Sequence, residues 1–524
     1  MKTILPFAAL LAVLLLGPIW VNRHARESGR HADDTLVIIT PHNEAILDEF
    51  ARAFRAEHLA KTGRTVFVDW RSAGGTSEIA RYVAAQYLGS FRDYWTHTLH
   101  RPWTPACTAF DDPKSTAAET VAARKAFLTS NAGCGIDLFF GGGSFDYIQM
   151  AAAGRLVNSG IIAAHPELFA LSGPASSKQI PQTLGGEPLW DPKGCWIGAC
   201  MGAFGICYNT DSLARLGIAQ PPVEWADLAS PAFANEVALA DPTQSGSVGK
   251  AFEMILQQQI AQAGGNVPEG WLRGMQLIER ISANARYFTD SATQIPYSVQ
   301  AGDAAAGMCI DFYGRFESES VRRPDGASRM VYVTPQGGSS TGADSIGLFR
   351  GAPHPDLARE FIDFVISQRG QKLWCFRVGT PGGPEKYALL RLSIRPDMYT
   401  TQWRPYESDP GVDPYAAQAP NLNYQPRWTA SLFNVISFTI RTAFIDPHDE
   451  LKEAWEALIK ANFPPQATAT FSNLAAINYA QSSSPIRDAL RSPNKLDSVQ
   501  MARLLDEHFR QQYRQAADLA RRGL

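Results

Sequence analysis

The sequence has no block of lysines and arginines interleaved with aromatics, and its 48 basic side chains are offset by 51 acidic ones, leaving a formal net charge of -3. Neutralising nucleic-acid phosphates takes a concentrated positive field, so nucleic acid is excluded as a partner. Signatures of local catalytic chemistry are also missing. No GxSxG stands at a strand-to-helix elbow, and neither HExxH nor the GxxxxGK phosphate loop occurs. There is no CxxC pair and no clustered histidine, which argues against a zinc site.

What is present is the composition of a large globular protein. With 45% hydrophobic and 19% charged residues, 34 Pro and 42 Gly, the chain can bury sizeable cores and still afford many turns. Its 524 residues exceed what one core organises, so two or three domains are expected.

Lys2 precedes an apolar run from Ile4 to Val21, and polar sequence follows at once, which reads as a secretion signal. The length of the run and the following Arg23, Arg26 and Arg30 leave a retained membrane anchor as the alternative. Residues 1–34 are therefore assigned to a signal peptide or anchor plus linker, and the protein to the periplasm or another extracytoplasmic space. The first cysteine is Cys107, so no lipid-bearing cysteine follows the signal. Seven cysteines leave at least one thiol unpaired. Cys195 with Cys200, and Cys107 with Cys134, are near enough in sequence to pair in an oxidising compartment. Cys207 and Cys309 lie in apolar strand-like runs and read as buried free thiols.

From residue 35 the pattern is strand, loop, helix, repeated. Leu36–Ile39, Val66–Val68 and Asp137–Phe140 read as strands, and each is followed by a loop and an apolar-periodic helix. This alternation predicts an α/β fold with a largely parallel sheet. A stretch from about residue 89 to 133 interrupts it and reads as an insertion. Phe204–Asn209 is a candidate crossover into a second α/β series, which runs through Val237–Ala240, helices over 250–262 and 271–282, and Ala305–Ile310. The glycine- and serine-rich stretch Gln336–Gly342 suits a return hinge. Asp356–Ser367 is an amphipathic helix, and from about residue 399 the chain is irregular and then helical.

Three loops, Thr40–Asn43, Ser72–Ser77 and Gly141–Ser144, occupy the ligand-binding edge of such a sheet, after a strand and before a helix. Glycine permits close backbone approach, hydroxyls donate hydrogen bonds, and helix starts present free N–H groups with a positive dipole end, a combination that favours an anion. Asp241–Ser247 is a fourth such loop in the second half, and Tyr313 follows a strand to the same edge. The candidate ligand-binding residues are His42, Asn43, Gly75, Thr76, Ser77, Gly142, Gly143, Ser245, Gly246 and Tyr313. Helix capping explains Thr76 and Ser77 as readily as binding. Trp190, Trp196 and Tyr208 read as core aromatics more than as ligand-stacking ones.

Five segments, Ala203–Asn209, Glu224–Pro231, Ala240–Ser247, Gly302–Ala305 and Arg350–Ala358, taken in order resemble the iron(III)-type periplasmic solute-binding proteins of ABC transporters. The resemblance spans residues 35–395. It implies the two-lobed type II periplasmic-binding-protein fold with hinge strands: lobe 1 over 35–203 and again over 335–398, lobe 2 over 204–334, and a mainly helical C-terminal extension over 399–524. It implies a binding protein and not an enzyme, without a resident cofactor, acting as a monomer that delivers a small-molecule ligand to an ABC permease.

Iron binders of this family use a histidine or acid from the first lobe and adjacent tyrosines from the second. Here His42 and a single tyrosine, Tyr313 between Phe312 and Gly314, are the metal ligands only if the cargo is ferric. Relatives carry phosphorylated or phosphonate solutes and thiamine, and the hydroxyl- and glycine-rich loops suit a phosphate-bearing anion. Two other readings use the same scaffold: a membrane-tethered sensory binding module, and a hydrolase or transferase with His42 or Asp311 as acid/base.

Overall fold

The computed structural model describes residues 32–171, 176, 178–416, 422–492 and 494–524. The apolar run over 4–21 lies outside the described residues. No helix among them is long and apolar enough to cross a membrane.

In the first lobe β1 (Asp34–Ile39), α1 (Glu44–Thr62), β2 (Val66–Arg71), α2 (Thr76–Asp93), α3 (Ala118–Thr129), β3 (Leu138–Gly143) and α4 (Ser144–Ala153) follow one another, with short β4 (Leu156–Val157) after them. A hairpin of β5 (Thr183–Leu184) and β6 (Glu187–Pro188) precedes β7 (Ile197–Gly202). The chain crosses at Ala203 into β8 (Phe204–Asn209) of a second sheet. There follow β9 (Val237–Ala240), α5 (Gly246–Gln262), α6 (Val267–Ala283), β10 (Ala285–Thr289), β11 (Ala306–Ile310), α7 (Asp311–Ser320) and β12 (Met330–Val333). Residues 334–341 carry it back to β13 (Gly342–Phe349), α8 (Pro355–Ile366), α9 (Gln368–Cys375) and β14 (Leu392–Ser393).

The first sheet has the order β14-β7-β13-β3-β1-β2, with β4 on β13, and the second the order β10-β9-β11-β8-β12. Neither is wholly parallel. β1 runs parallel to β2 and β3, but β13 runs antiparallel to both β3 and β7, and β8 antiparallel to β11 and β12. The expectation of a largely parallel sheet is corrected here. The hinge strands are long-range neighbours that enter each sheet against its direction, and sequence alternation carries no sign of that.

Strand pleating divides the first lobe's core. Leu36 and Ile38 pack with Phe50, Phe54, Phe361 and Trp374 on one face, whereas Val37 and Ile39 pack with Ile79, Val83, Phe91 and Phe127 on the other. The apparent insertion contributes Trp95, Cys107, Phe110 and Phe127 to that second face, so it is a covering layer of the sheet. Trp190, Trp196 and Tyr208 are buried core residues.

The C-terminal part first packs on the lobe 1 side, where Tyr415 Oη donates to Ile394 O (2.6 Å). It then bridges the hinge: Leu422 N donates to Ser339 O (2.9 Å) and Tyr424 N to Gly185 O (2.8 Å). Helices α10 (Phe433–Ile440), α11 (His448–Lys460), α12 (Pro465–Phe471) and α13 (Lys495–Arg521) join the core of the second lobe, with Leu458, Phe471, Phe509 and Tyr513 packed alongside Trp271 and Ile278.

All seven cysteines are free. Cys200 packs on one face of the first sheet and Cys195 against the other, which separates that suggested pair. Cys107 and Cys134 share a face, but their thiols point to Glu119 and to the Ile136 carbonyl.

Candidate functional site

Three helix starts meet between the lobes. Gly75 caps α2, Gly143 caps α4 and Ser245 caps α5, and in each the capping residue is extended while the next is helical. The helices begin earlier than sequence periodicity suggests, so Thr76, Ser77 and Gly246 belong to first turns, where N–H groups lack intrahelical partners. The ends touch: a Cβ built on Gly246 would lie 3.4 Å from both Ser77 Oγ and Asp146 Oδ2, and one on Gly75 would lie 2.7 Å from the Gln244 carbonyl. Gly141 and Gly142 have φ of 101° and 100° and pass hard against His42 and Thr76, a path open only to residues without a side chain.

These ends line an interlobe cavity of about 110 Å³. Of the ten candidate residues, His42, Gly75, Thr76, Gly142, Gly143, Ser245, Gly246 and Tyr313 line it. Asn43 does not; its side chain caps α1 by accepting from Ile46 N (3.3 Å). Ser77 stands just behind, its hydroxyl facing Gly246. Ser245 also has a capping role, accepting from Val248 N at 3.5 Å.

The floor of the cavity holds a cluster that sequence reading missed. Asp344, at the start of β13, accepts from the Gly142 N–H, from Arg391 and from His42 Nε2 (3.1 Å). Arg391 is 2% exposed and lies over the Phe312 ring. Burial, and then the Arg391 charge, hold the His42 pKa well below its ordinary value, so the ring is neutral and Nε2–H donates to the carboxylate. His42 Nδ1 and Arg391 Nε are buried with no partner among the described residues. Tyr313 packs on Phe312 with the rings tilted by 48°, and burial pushes its phenol up to about 12.

A second cluster closes the other side. Lys250, on α5, bonds Glu187 of the first lobe's hairpin and Glu253, each at 2.9 Å, and lies over the Tyr424 ring at 3.7 Å. Burial works against its charge, but Glu187 and Glu253 outweigh that and hold its pKa above the ordinary lysine value. Asp146, in the first turn of α4, faces the same space, and burial raises its carboxyl to about 7 against the pull of Arg81. Asp311, the first residue of α7, donates its N–H to the Ala203 carbonyl at the crossover and does not line the cavity. The letters GxSxG do occur, over 338–342, but Ser340 sits in the return crossover, 1% exposed, with its hydroxyl on Glu187 at 2.6 Å.

Residues 136–391 match the model of the bacterial extracellular solute-binding protein family. That stretch of the chain is similar to the solute-binding proteins of this family. His42 and the Gly75–Ser77 turn precede the match, so the cleft is completed by sequence outside it. The chain is 24% identical over 303 residues to a phosphoglycerate transport regulatory protein of Salmonella typhimurium, covering 57% of this chain and 64% of that one. It is 26% identical over 241 residues to an uncharacterised protein of Haemophilus influenzae, covering 45% and 60%. A putrescine/cadaverine-binding protein of Pseudomonas aeruginosa is 25% identical over 203 residues, 37% of this chain and 53% of that one. The chain thus spans less than two thirds of the length of each of these relatives. Among solved structures, a fructose-6-phosphate-bound periplasmic binding protein of Actinobacillus pleuropneumoniae matches with TM-score 0.45 and 17% identity over 70% of this chain and 86% of that one. Iron-bound HitA of Pseudomonas aeruginosa matches with TM-score 0.45 and 15% identity over 77% and 98%.

Proposed function

We propose that this chain is the extracytoplasmic solute-binding component of an ABC importer and that it holds a small phosphate- or phosphonate-bearing anion between its lobes. The observation that carries this reading is the convergence of three capped helix starts, from both lobes, on one glycine-lined cavity. Each start offers free N–H donors and a positive dipole end to an oxyanion, and closure of the lobes brings all three onto it at once. Ligand capture outside the cytoplasm and release to a membrane permease are supported by the match to the solute-binding family; monomeric action and the absence of turnover belong to the same reading.

A ferric cargo is supported less well. It calls for several hard oxygen donors, whereas His42 Nε2 is engaged by Asp344 and, among the described residues, a single tyrosine reaches the cavity. Two observations favour secondary readings. The name of the Salmonella relative is that of a transport regulatory protein, and the C-terminal helices add a large surface to the second lobe; both suit a binding module that reports to a partner. The His42–Asp344 pair meets the distance required of an acid/base pair, which is what a hydrolase would use.

After removal of co-purified ligand, thermal shift should be measured with 3-phosphoglycerate, fructose 6-phosphate, an alkylphosphonate, ferric citrate and putrescine. A phosphate ester at 100 times its Kd stabilises the folded state by about 2.7 kcal/mol, a clear rise in Tm. Shifts confined to ferric citrate or putrescine would overturn the anion assignment. Release of inorganic phosphate from an ester would favour the hydrolase.

A further inference from the structure

We propose that the cleft takes up its oxyanion together with one proton, which a ligand oxygen shares with the carboxylate of Asp146. The inference rests on the anion reading above and deepens it. Asp146 stands in the corner where α2, α4 and α5 begin: its Oδ2, Ser77 Oγ and Thr76 Cβ all lie within 3.7 Å of the position a Cβ on Gly246 would take. Its carboxylate makes no hydrogen bond or ion pair with any described residue, although it lines the cavity. An acceptor-only group is thus set beside the donors that would hold the ligand's oxygens.

Two negative oxygen groups confined together cannot both stay ionised at neutral pH; one proton between them removes the repulsion and forms a strong hydrogen bond. An ammonium ligand would satisfy Asp146 instead, but in this corner it would face three positive helix ends. The groups set around the carboxylate leave the proton to it and to the ligand. From α2 come Arg81, the charged side chain that acts on it, and Ser77; from α5 comes Gly246, while Lys250 one turn on is held by Glu187 and Glu253. Phe145, beside it on α4, is covered by Phe433. Burial by itself already lifts the Asp146 carboxyl to about 7. His42 is neutral throughout this range.

The test is calorimetry with 3-phosphoglycerate as probe at pH 8, in buffers of different ionisation enthalpy, so that the dependence of the observed heat on buffer counts protons directly. At that pH the phosphate, with a second pKa near 6, and Asp146 are both largely ionised before binding. Wild type should take up close to one proton per ligand, and its affinity should fall about tenfold per pH unit above pH 8, as linkage to one proton requires. Asp146→Asn and Asp146→Ser should bind with uptake near zero and a flat pH profile. Binding by wild type without proton uptake, or unchanged uptake in both variants, overturns the inference and leaves the anion reading standing. Absence of any binding of phosphate esters to wild type removes the anion reading itself, and this inference with it.

Discussion

His42 and Asp344, 302 positions apart in sequence, are joined by a hydrogen bond of 3.1 Å between Nε2 and Oδ2 at the floor of the interlobe cleft. The bond ties the first strand-end loop of lobe 1 to the strand by which the chain returns from lobe 2. Because Arg391 and the Gly142 N–H converge on the same carboxylate, Asp344 is the point at which the cleft floor is organised.

Removing that carboxylate should cost more than removing the histidine. Asp344→Ala leaves Arg391, 2% exposed, without its counter-charge, and breaking one partner of a buried pair typically costs about 3–5 kcal/mol. Denaturant unfolding of Asp344→Ala, His42→Gln and the double variant Asp344→Leu/Arg391→Met should rank the single Asp344 change as the most destabilising. An equal cost for Asp344→Ala and the double variant would show that the uncompensated Arg391 charge is not the cause.

The pH dependence of stability follows from His42. Its folded pKa is depressed below the ordinary 6.5 by burial and by Arg391, so below that pH the unfolded chain binds a proton that the folded one does not. Stability is therefore lost as pH falls through about 6.5 and continues to fall below it. Replacing His42 with Gln, which can still donate to Asp344, should flatten this limb when melting is followed from pH 7.5 to 5.

Asp146 acts with the opposite sign. Its carboxyl is raised from 3.8 to about 7, so the folded state holds the proton between those values, and its contribution to stability is fully present below 3.8 and lost as pH rises toward 7. In the absence of ligand, Asp146→Asn should be at least as stable as wild type at pH 8, with the advantage shrinking toward pH 4. A variant less stable than wild type at pH 8 would point to an unrecognised partner for the carboxylate.

Lobe closure is set by the space at Gly75. A methyl there would lie 2.7 Å from the Gln244 carbonyl of the opposite lobe, and backbone yields little. Gly75→Ala should keep the melting temperature of wild type without ligand, because φ at this residue is -72°, while ligand affinity falls by about tenfold or more, the equivalent of at least 1.4 kcal/mol. Small-angle scattering should show a more open form of this variant in the presence of ligand.

The half-buried Lys250 ties the two lobes together. Glu187 and Glu253 are 2% and 1% exposed, and Lys250 supplies their positive charge. Lys250→Met should destabilise the chain by about 3–5 kcal/mol, and Lys250→Arg should recover part of that, as measured by denaturant unfolding.

Much of the site was legible in the sequence because it is built from local chemistry. A strand followed by Gly, Ser or Thr and then an apolar-periodic helix places those residues at a helix start, and eight of the ten residues so chosen line the cavity. Asn43 stands outside the lining for a local reason as well, since an amide directly before a helix satisfies that helix's own N–H groups. Asp146 carried a weak signal, an acid in the first turn after a glycine loop. Asp344, Arg391, Glu187 and Lys250 carried none, because their roles depend on partners 47 to 302 residues away, as in the Arg391–Asp344, Glu187–Lys250 and His42–Asp344 bonds.

The sequence alone determined the repeated strand–loop–helix units, the two crossovers and the placement of flexible, hydroxyl-bearing residues at strand ends, all of which follow from backbone preferences within a dozen residues. Only the tertiary structure decided the antiparallel entry of the hinge strands, the docking of the C-terminal helices onto the second lobe, and the charge inside the cleft. Those depend on which distant groups lose water together. Burial then makes His42 neutral, two acids keep Lys250 charged, and Asp146 faces the cavity without a partner among the described residues.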